Sequence, residues 1–197
     1  MVACCCGFNG VRGSKFHETS ALQHRADITL GLIIMKIIFS DIDGVLNCKR
    51  TPNPRKFPYV ADPVLVKRLC GVLESTQSEI VLTSTWRYDP AGLFSARYWC
   101  IPFTDITPDL PDQPRRNEIV SWLSDHPAVM RYVVLDDEDD GLDSLPLFQP
   151  SSLTGLTDEI AQGLVDYLNG KPGMDMRSSR MVRCLQNLQA ILKRHPG

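Results

Sequence analysis

The run KIIFSDIDGVLN, Lys36 to Asn47, ends an apolar stretch in two acids, Asp41 and Asp43, with Gly44 directly behind them. A second acidic pair, Asp136 and Asp137, ends the apolar run in YVVLDDEDD. Between these pairs come two hydroxyls, Thr83 and Ser84 in IVLTS, and a basic pair, Arg115 and Arg116. Acids from two chain segments meeting in a partly desolvated crevice repel one another, which raises a pKa or unsettles the site unless a cation compensates. Mg²⁺ answers that need: it prefers oxygen ligands, keeps several waters, and combines one or two carboxylates with a backbone carbonyl and a substrate phosphate oxygen. Acids, hydroxyls and a basic side chain in one place are the outline of a phosphoryl-transfer site, where catalysis is mainly positioning and charge stabilisation. A calcium hand does not fit, because counting from Asp41 its glycine position is Leu46 and its closing glutamate position is Pro52.

Elements that could bring these residues together follow from the pattern. Ile37, Ile38 and Phe39 form a short continuous apolar run, as in a strand covered on both faces of a parallel sheet. Asp62 and Pro63 signal a helix start, with Leu65, Leu69, Val72 and Leu73 at helical spacing behind them. EIVLTSTW reads as a second strand and WCIPF as a short third. Arg115 to His126 reads as a helix with Ile119, Trp122 and Leu123 on one face, closed by Pro127. MRYVVLDDEDD is then a strand running into acids. A last helix has Thr157 as cap, apolar Ile160, Leu164, Val165 and Leu168, a preceding Gly155 turn and a Gly170 stop. Strands alternating with helices predict an α/β fold with a mostly parallel sheet and helices on both faces. In such sheets ligands bind at the carboxyl ends of the strands, which is where Asp41 and Asp43, Thr83 and Ser84, and Asp136 and Asp137 all fall.

The rest of the chain narrows the class. Lys and Arg total 21 against 23 for Asp and Glu, a net charge of −2, so nothing global draws the protein to nucleic acid or membrane. Seven cysteines, three of them adjacent at Cys4 to Cys6, fit neither a disulfide framework nor a zinc site, and predict a reducing, cytoplasmic setting. The apolar window Ile28 to Phe39 is interrupted by Lys36 and is shorter than the roughly 20 residues of a membrane span. Residues 1–34 are expected to be a disordered or non-native extension, 35–170 the catalytic domain, and 171–197 a basic amphipathic tail with Met181, Leu185, Leu188 and Leu192 on one face.

Four motifs in this order resemble the haloacid dehalogenase (HAD) superfamily of phosphohydrolases, whose fold is three-layered and Rossmann-like. LTSTWR, RRNEIVSWLSDHP, YVVLDDEDD and LFQPSSLTGLT narrow the likeness to the HAD domain of Swiss Army Knife RNA repair proteins. The resemblance implies that Asp41 is the nucleophile forming an aspartyl-phosphate and that Asp43 serves as general acid and then base, its backbone carbonyl on Mg²⁺. It further implies that Thr83, or Ser84 beside it, binds phosphate, that Arg115 or its neighbour Arg116 steadies the phosphoryl charge, and that Asp137 holds the metal with Asp136 in support. Gly44 suits a tight turn beside the nucleophile, where a side chain would crowd the phosphate.

No insertion of domain size follows the first strand or any later one, so a minimal cap, or none, is expected. An open site suits bulky phosphorylated substrates. The loop after the nucleophile carries Lys49, Arg50, Arg55 and Lys56 with Phe57 and Tyr59 and no acid before Asp62. Basic groups for phosphates beside aromatics for bases suit nucleic-acid ends; an ordinary solvated loop is the competing reading. A nucleotidase or other small-molecule phosphatase, and a phosphate-accepting regulatory module without turnover, are the rival functions. The second is disfavoured by order, since receiver domains place the acidic pair on the first strand and the accepting Asp later.

Overall fold

Strand β1, Met35–Ser40, is the middle of a five-stranded sheet, and its apolar residues Ile37, Ile38 and Phe39 are all fully buried. A computed structural model of the protein describes residues 35–171. The other elements, in chain order, are α1 (Pro63–Thr76), β2 (Glu79–Leu82), a 3-10 turn (Thr85–Tyr88), α2 (Pro90–Tyr98), β3 (Phe103–Ile106), α3 (Arg115–Asp125), β4 (Val129–Leu135), β5 (Leu147–Phe148) and α4 (Asp158–Leu168). The strand order is β3-β2-β1-β4-β5, and every pairing is parallel. This is the expected α/β, Rossmann-like fold.

Alternation along the central strands splits the core in two. Ile38, Ile80, Leu82, Val133 and Leu135 face α1, α2 and α4, whereas Ile37, Phe39, Val81 and Val134 face Ile119 and Trp122 of α3. Phe39 meets Trp122 edge-on at 5.4 Å, the arrangement ring quadrupoles favour. Helices therefore cover both faces of the sheet.

Helix starts follow the capping chemistry read from the chain. The Asp62 side chain accepts from the Val64 N–H with Pro63 in the first turn, and Thr157 accepts from Ile160. The same Asp-Pro signal recurs at Asp89–Pro90, where Asp89 accepts from the Ala91 N–H and starts α2, a helix the periodicity did not single out. Because α2 runs to Tyr98 and Cys100 then turns with φ +58, the third strand expected within WCIPF begins only at Phe103. The second strand is likewise shorter than EIVLTSTW, since Ser84 caps the 3-10 turn. Strand β5 is only two residues long and has no alternation to reveal it.

Residues 41–62 connect β1 to α1 as turns and loop, with no inserted domain. All described residues fall in one compact unit. The expectations for residues 1–34 and for the amphipathic tail lie outside the described residues. Among the described residues no helix is long and apolar enough to cross a membrane.

Candidate active site

Register brings the motifs together. Ser40 pairs with Leu82 on one side and Leu135 on the other, so the next residue of each strand, Asp41, Thr83 and Asp136, stands level with its neighbours at the carboxyl edge. The ladder continues one step past the strands: Asp41 N–H donates to Leu135 O at 2.9 Å, and Thr83 N–H to Ser40 O at 3.0 Å. Adjacent strands lie about 4.8 Å apart, so three polar side chains are forced into one small volume. The direction of strand order reverses at β1, with β2 on one flank and β4 on the other, which opens the crevice at this edge.

Carboxylate oxygens of Asp41, Asp136 and Asp137 lie within 4.8 Å of one another. Asp136 is fully buried and Asp41 nearly so. One Arg115 nitrogen donates to Asp41 Oδ2 at 2.8 Å and also to Asp136 Oδ2. Burial works against the Arg115 charge, but Asp41 and Asp136 outweigh it and raise the pKa, so the guanidinium stays charged. One cation against three carboxylates leaves the crevice short of positive charge, and all-oxygen donors in close reach suit a hard divalent ion. The donor set thus fits a hard divalent ion such as Mg²⁺, which Asp41, Asp136 and Asp137 could hold.

The Thr83 hydroxyl is buried and has no hydrogen-bond partner. An unmade bond at a buried hydroxyl costs about 1–3 kcal/mol, a penalty that a bound oxyanion beside Asp41 would remove. Ser84 is otherwise engaged, its hydroxyl accepting from the Trp86 N–H at 3.4 Å. Of the two arginines, Arg115 enters the cluster, while Arg116 reaches Ser144 at 2.9 Å.

Asp43 stands apart from the three-carboxylate cluster. Its exposed side chain is oriented by two donors, Trp86 Nε1 at 2.8 Å and Asn47 Nδ2 at 2.7 Å. Asn47 also accepts from the Gly44 N–H at 2.9 Å and donates to Val60 O at 2.8 Å, tying the loop closed. Asn47 has no part in the sequence reading, and Trp86, read there as a core residue, is buried and also orients Asp43. The asparagine ending DIDGVLN was the one visible signal, since Asn bonds nearby backbone in turns.

Gly44 is needed for two separate reasons. Its φ of +70 disfavours any side chain, and a methyl group there would overlap the carboxylate of Asp137. Gly44→Ala is expected to cost about 1–2 kcal/mol of stability from the backbone alone and to push Asp137 out of the cluster. The Mg²⁺-induced rise in melting temperature should then disappear, and a retained rise would refute the contact.

The four basic loop residues Lys49, Arg50, Arg55 and Lys56 are all exposed, and no ion pair among the described residues engages them. Trp86 and Arg87, by contrast, are buried.

A model of the family described as the HAD domain in Swiss Army Knife RNA repair proteins matches residues 37–161. The chain belongs to this family. A comparison with curated proteins found no significant match. The matched span runs from β1 into α4 and so contains every residue of the carboxylate cluster, Thr83 and Arg115. Membership supports a HAD-type phosphohydrolase and implies a phosphorylated substrate.

The cluster carries a pH signature. Burial pushes the Asp136 carboxyl up to about 6, with the Asp41 charge adding and Arg115 opposing. Burial, then Asp41, raises Asp137 as well. A carboxyl whose folded pKa is raised makes the native state bind more protons than the unfolded chain between the two pKa values, so stability falls as pH rises through that window. Without divalent ions the domain is therefore expected to be more stable near pH 4.5 than near pH 7.5, by about 2 kcal/mol from Asp136. Mg²⁺ should recover more of the loss at the higher pH. Denaturant titrations in chelator and in Mg²⁺ at both pH values measure this, and ion-free stability that rises toward neutrality would contradict it.

Proposed function

We propose that this domain, residues 35–170, is a Mg²⁺-dependent phosphatase that removes terminal phosphates from polynucleotide ends through an aspartyl-phosphate. The observation that carries the chemistry is the gathering of Asp41, Asp136 and Asp137 within 4.8 Å beside the partnerless Thr83 hydroxyl. Asp41 attacks phosphorus, forming a carboxyl O–P bond as the ester P–O bond breaks. Asp43, oriented by Trp86 and Asn47, gives its proton to the leaving oxygen and later takes one from the water that hydrolyses the aspartyl-phosphate. Thr83 and Arg115 supply a hydroxyl and a fixed positive charge for the non-bridging oxygens. Bound Mg²⁺ would offset the negative charge of carboxylates and phosphate.

The polynucleotide assignment rests on the family match and on the exposed basic loop, with no inserted cap to shut out a large substrate. Phosphate release should be compared across oligonucleotides carrying 3′- or 5′-phosphate, mononucleotides, sugar phosphates and phosphopeptides, with Mg²⁺ and with chelator. Oligonucleotides should be preferred and chelator should stop release. Preference for a mononucleotide or sugar phosphate would replace the substrate assignment, and stable phosphorylation of Asp41 without release would replace the enzyme with a phosphoacceptor. Neutralising Lys49, Arg50, Arg55 and Lys56 together should weaken oligonucleotide turnover more than that of p-nitrophenyl phosphate. It should also flatten the salt dependence, because each phosphate contact releases counterions. Equal losses on both substrates would count against nucleic acid.

A further inference from the structure

Helix α2 turns an aromatic face outward. Phe94 and Tyr98, one helical turn apart, are 70% and 64% exposed, and Phe57 from the basic loop is 53% exposed. Single exposed apolar residues are ordinary, but these three line one groove of about 300 Å³ together with Tyr59 and Trp99. The walls are fixed. Tyr98 meets Trp99 edge-on at 5.6 Å, Trp99 Nε1 donates to Tyr59 O at 3.3 Å, and the Tyr59 hydroxyl donates to Asp89 at 2.6 Å. Asp89, the one acid among these contacts, is thus already engaged by Tyr59 and by the start of α2.

The groove adjoins the catalytic edge. Tyr59 packs on Trp86 at 5.0 Å, and Trp86 donates to Asp43. Arg55 and Lys56, exposed and without ion-pair partners among the described residues, immediately precede Phe57. Positive charge beside an exposed run of aromatic side chains is complementary to a single strand, whose backbone is anionic and whose bases all present a π-face.

We infer that the Phe57, Phe94, Tyr98 and Trp99 groove stacks the bases next to the terminal phosphate of a single-stranded polynucleotide, with Arg55 and Lys56 along its backbone. The inference rests on the polynucleotide reading of the site above and adds how the strand is held there. It predicts a preference for single strands over duplexes, whose bases are already stacked, with little dependence on base identity.

The test uses the full chain and an unphosphorylated, fluorescently labelled single-stranded oligonucleotide of about ten nucleotides, so that binding is read without turnover. Phe94→Ala/Tyr98→Ala, an exchange at exposed positions, should weaken binding about tenfold or more. With the phosphorylated oligonucleotide, kcat/KM should fall by a similar factor relative to p-nitrophenyl phosphate, and Phe94→Trp should bind at least as well as the wild type. Unchanged binding in the double variant, or equal losses on both substrates, would overturn the groove while leaving phosphate release intact. Failure of every substrate to release phosphate, with groove-dependent binding retained, would instead remove the catalytic reading alone.

Discussion

Asp41→Asn should fold, bind substrate and lower phosphate release by about a thousandfold or more, the scale on which loss of a covalent nucleophile acts. The exchange is nearly isosteric, and its amide oxygen can still accept the Ile42 N–H that Asp41 Oδ1 accepts at 2.6 Å. What it cannot do is attack phosphorus, because an amide is a far poorer nucleophile than a carboxylate. Removing one of three clustered negative charges will also weaken Mg²⁺ binding, so turnover must be compared at saturating Mg²⁺. Mass spectrometry of wild-type protein quenched during turnover should find phosphate on Asp41. An Asn variant with turnover comparable to wild type would remove the assignment, whatever the identity of the substrate.

Glu118→Gln is expected to give the largest loss of stability, about 3–5 kcal/mol, or roughly 10 °C in melting temperature. Glu118 and Arg87 form an ion pair whose side chains are 5% and 2% exposed. The Tyr88 hydroxyl donates to Glu118 at 2.9 Å, and Arg87 donates to the backbone oxygens of Thr83 and Ser84. Neutralising Glu118 leaves a buried guanidinium, 2% exposed, without its counter-charge. The pair also joins α3, which carries Arg115, to the loop that carries Thr83, so activity should fall along with stability. Replacing both partners, Arg87→Met/Glu118→Leu, should recover much of the stability, since an apolar pair avoids the desolvation cost. It should not recover activity, because the Thr83 carbonyl loses its donor. A single variant less than about 1 kcal/mol below wild type, the range of exposed pairs, would show the pair to be unimportant.

The buried pair also illustrates what local pattern could not reach. Arg87 reads as a core or helix-start residue and Glu118 lies in the first turn of α3; their 31-residue separation hides that they meet. Phe94 and Tyr98 were similarly illegible, because α2 was not read despite its Asp89–Pro90 start. Their exposure depends on which side of α2 packs on the sheet. Gly92 and Ala96 take that side, and a methyl group at Gly92 would meet the Trp86 backbone.

Sequence alone determined the layered α/β fold, because apolar runs ending in acids and capped amphipathic helices are local features that dictate strand, turn and helix without reference to distant residues. It also named Asp41, Asp43, Thr83, Asp136 and Asp137 as candidates, since each lies within three residues of a strand's carboxyl end, and Gly44 for the tight turn behind them. Tertiary structure decided which of them share a volume: parallel register fixes Asp41, Thr83 and Asp136 at one level, and the side-chain-free Gly44 leaves room for the Asp137 carboxylate beside them. It also separated Arg115 from Arg116 and Thr83 from Ser84, pairs alike in composition and neighbours in sequence. Only side-chain direction distinguishes them, and that is fixed by how helix and strand pack.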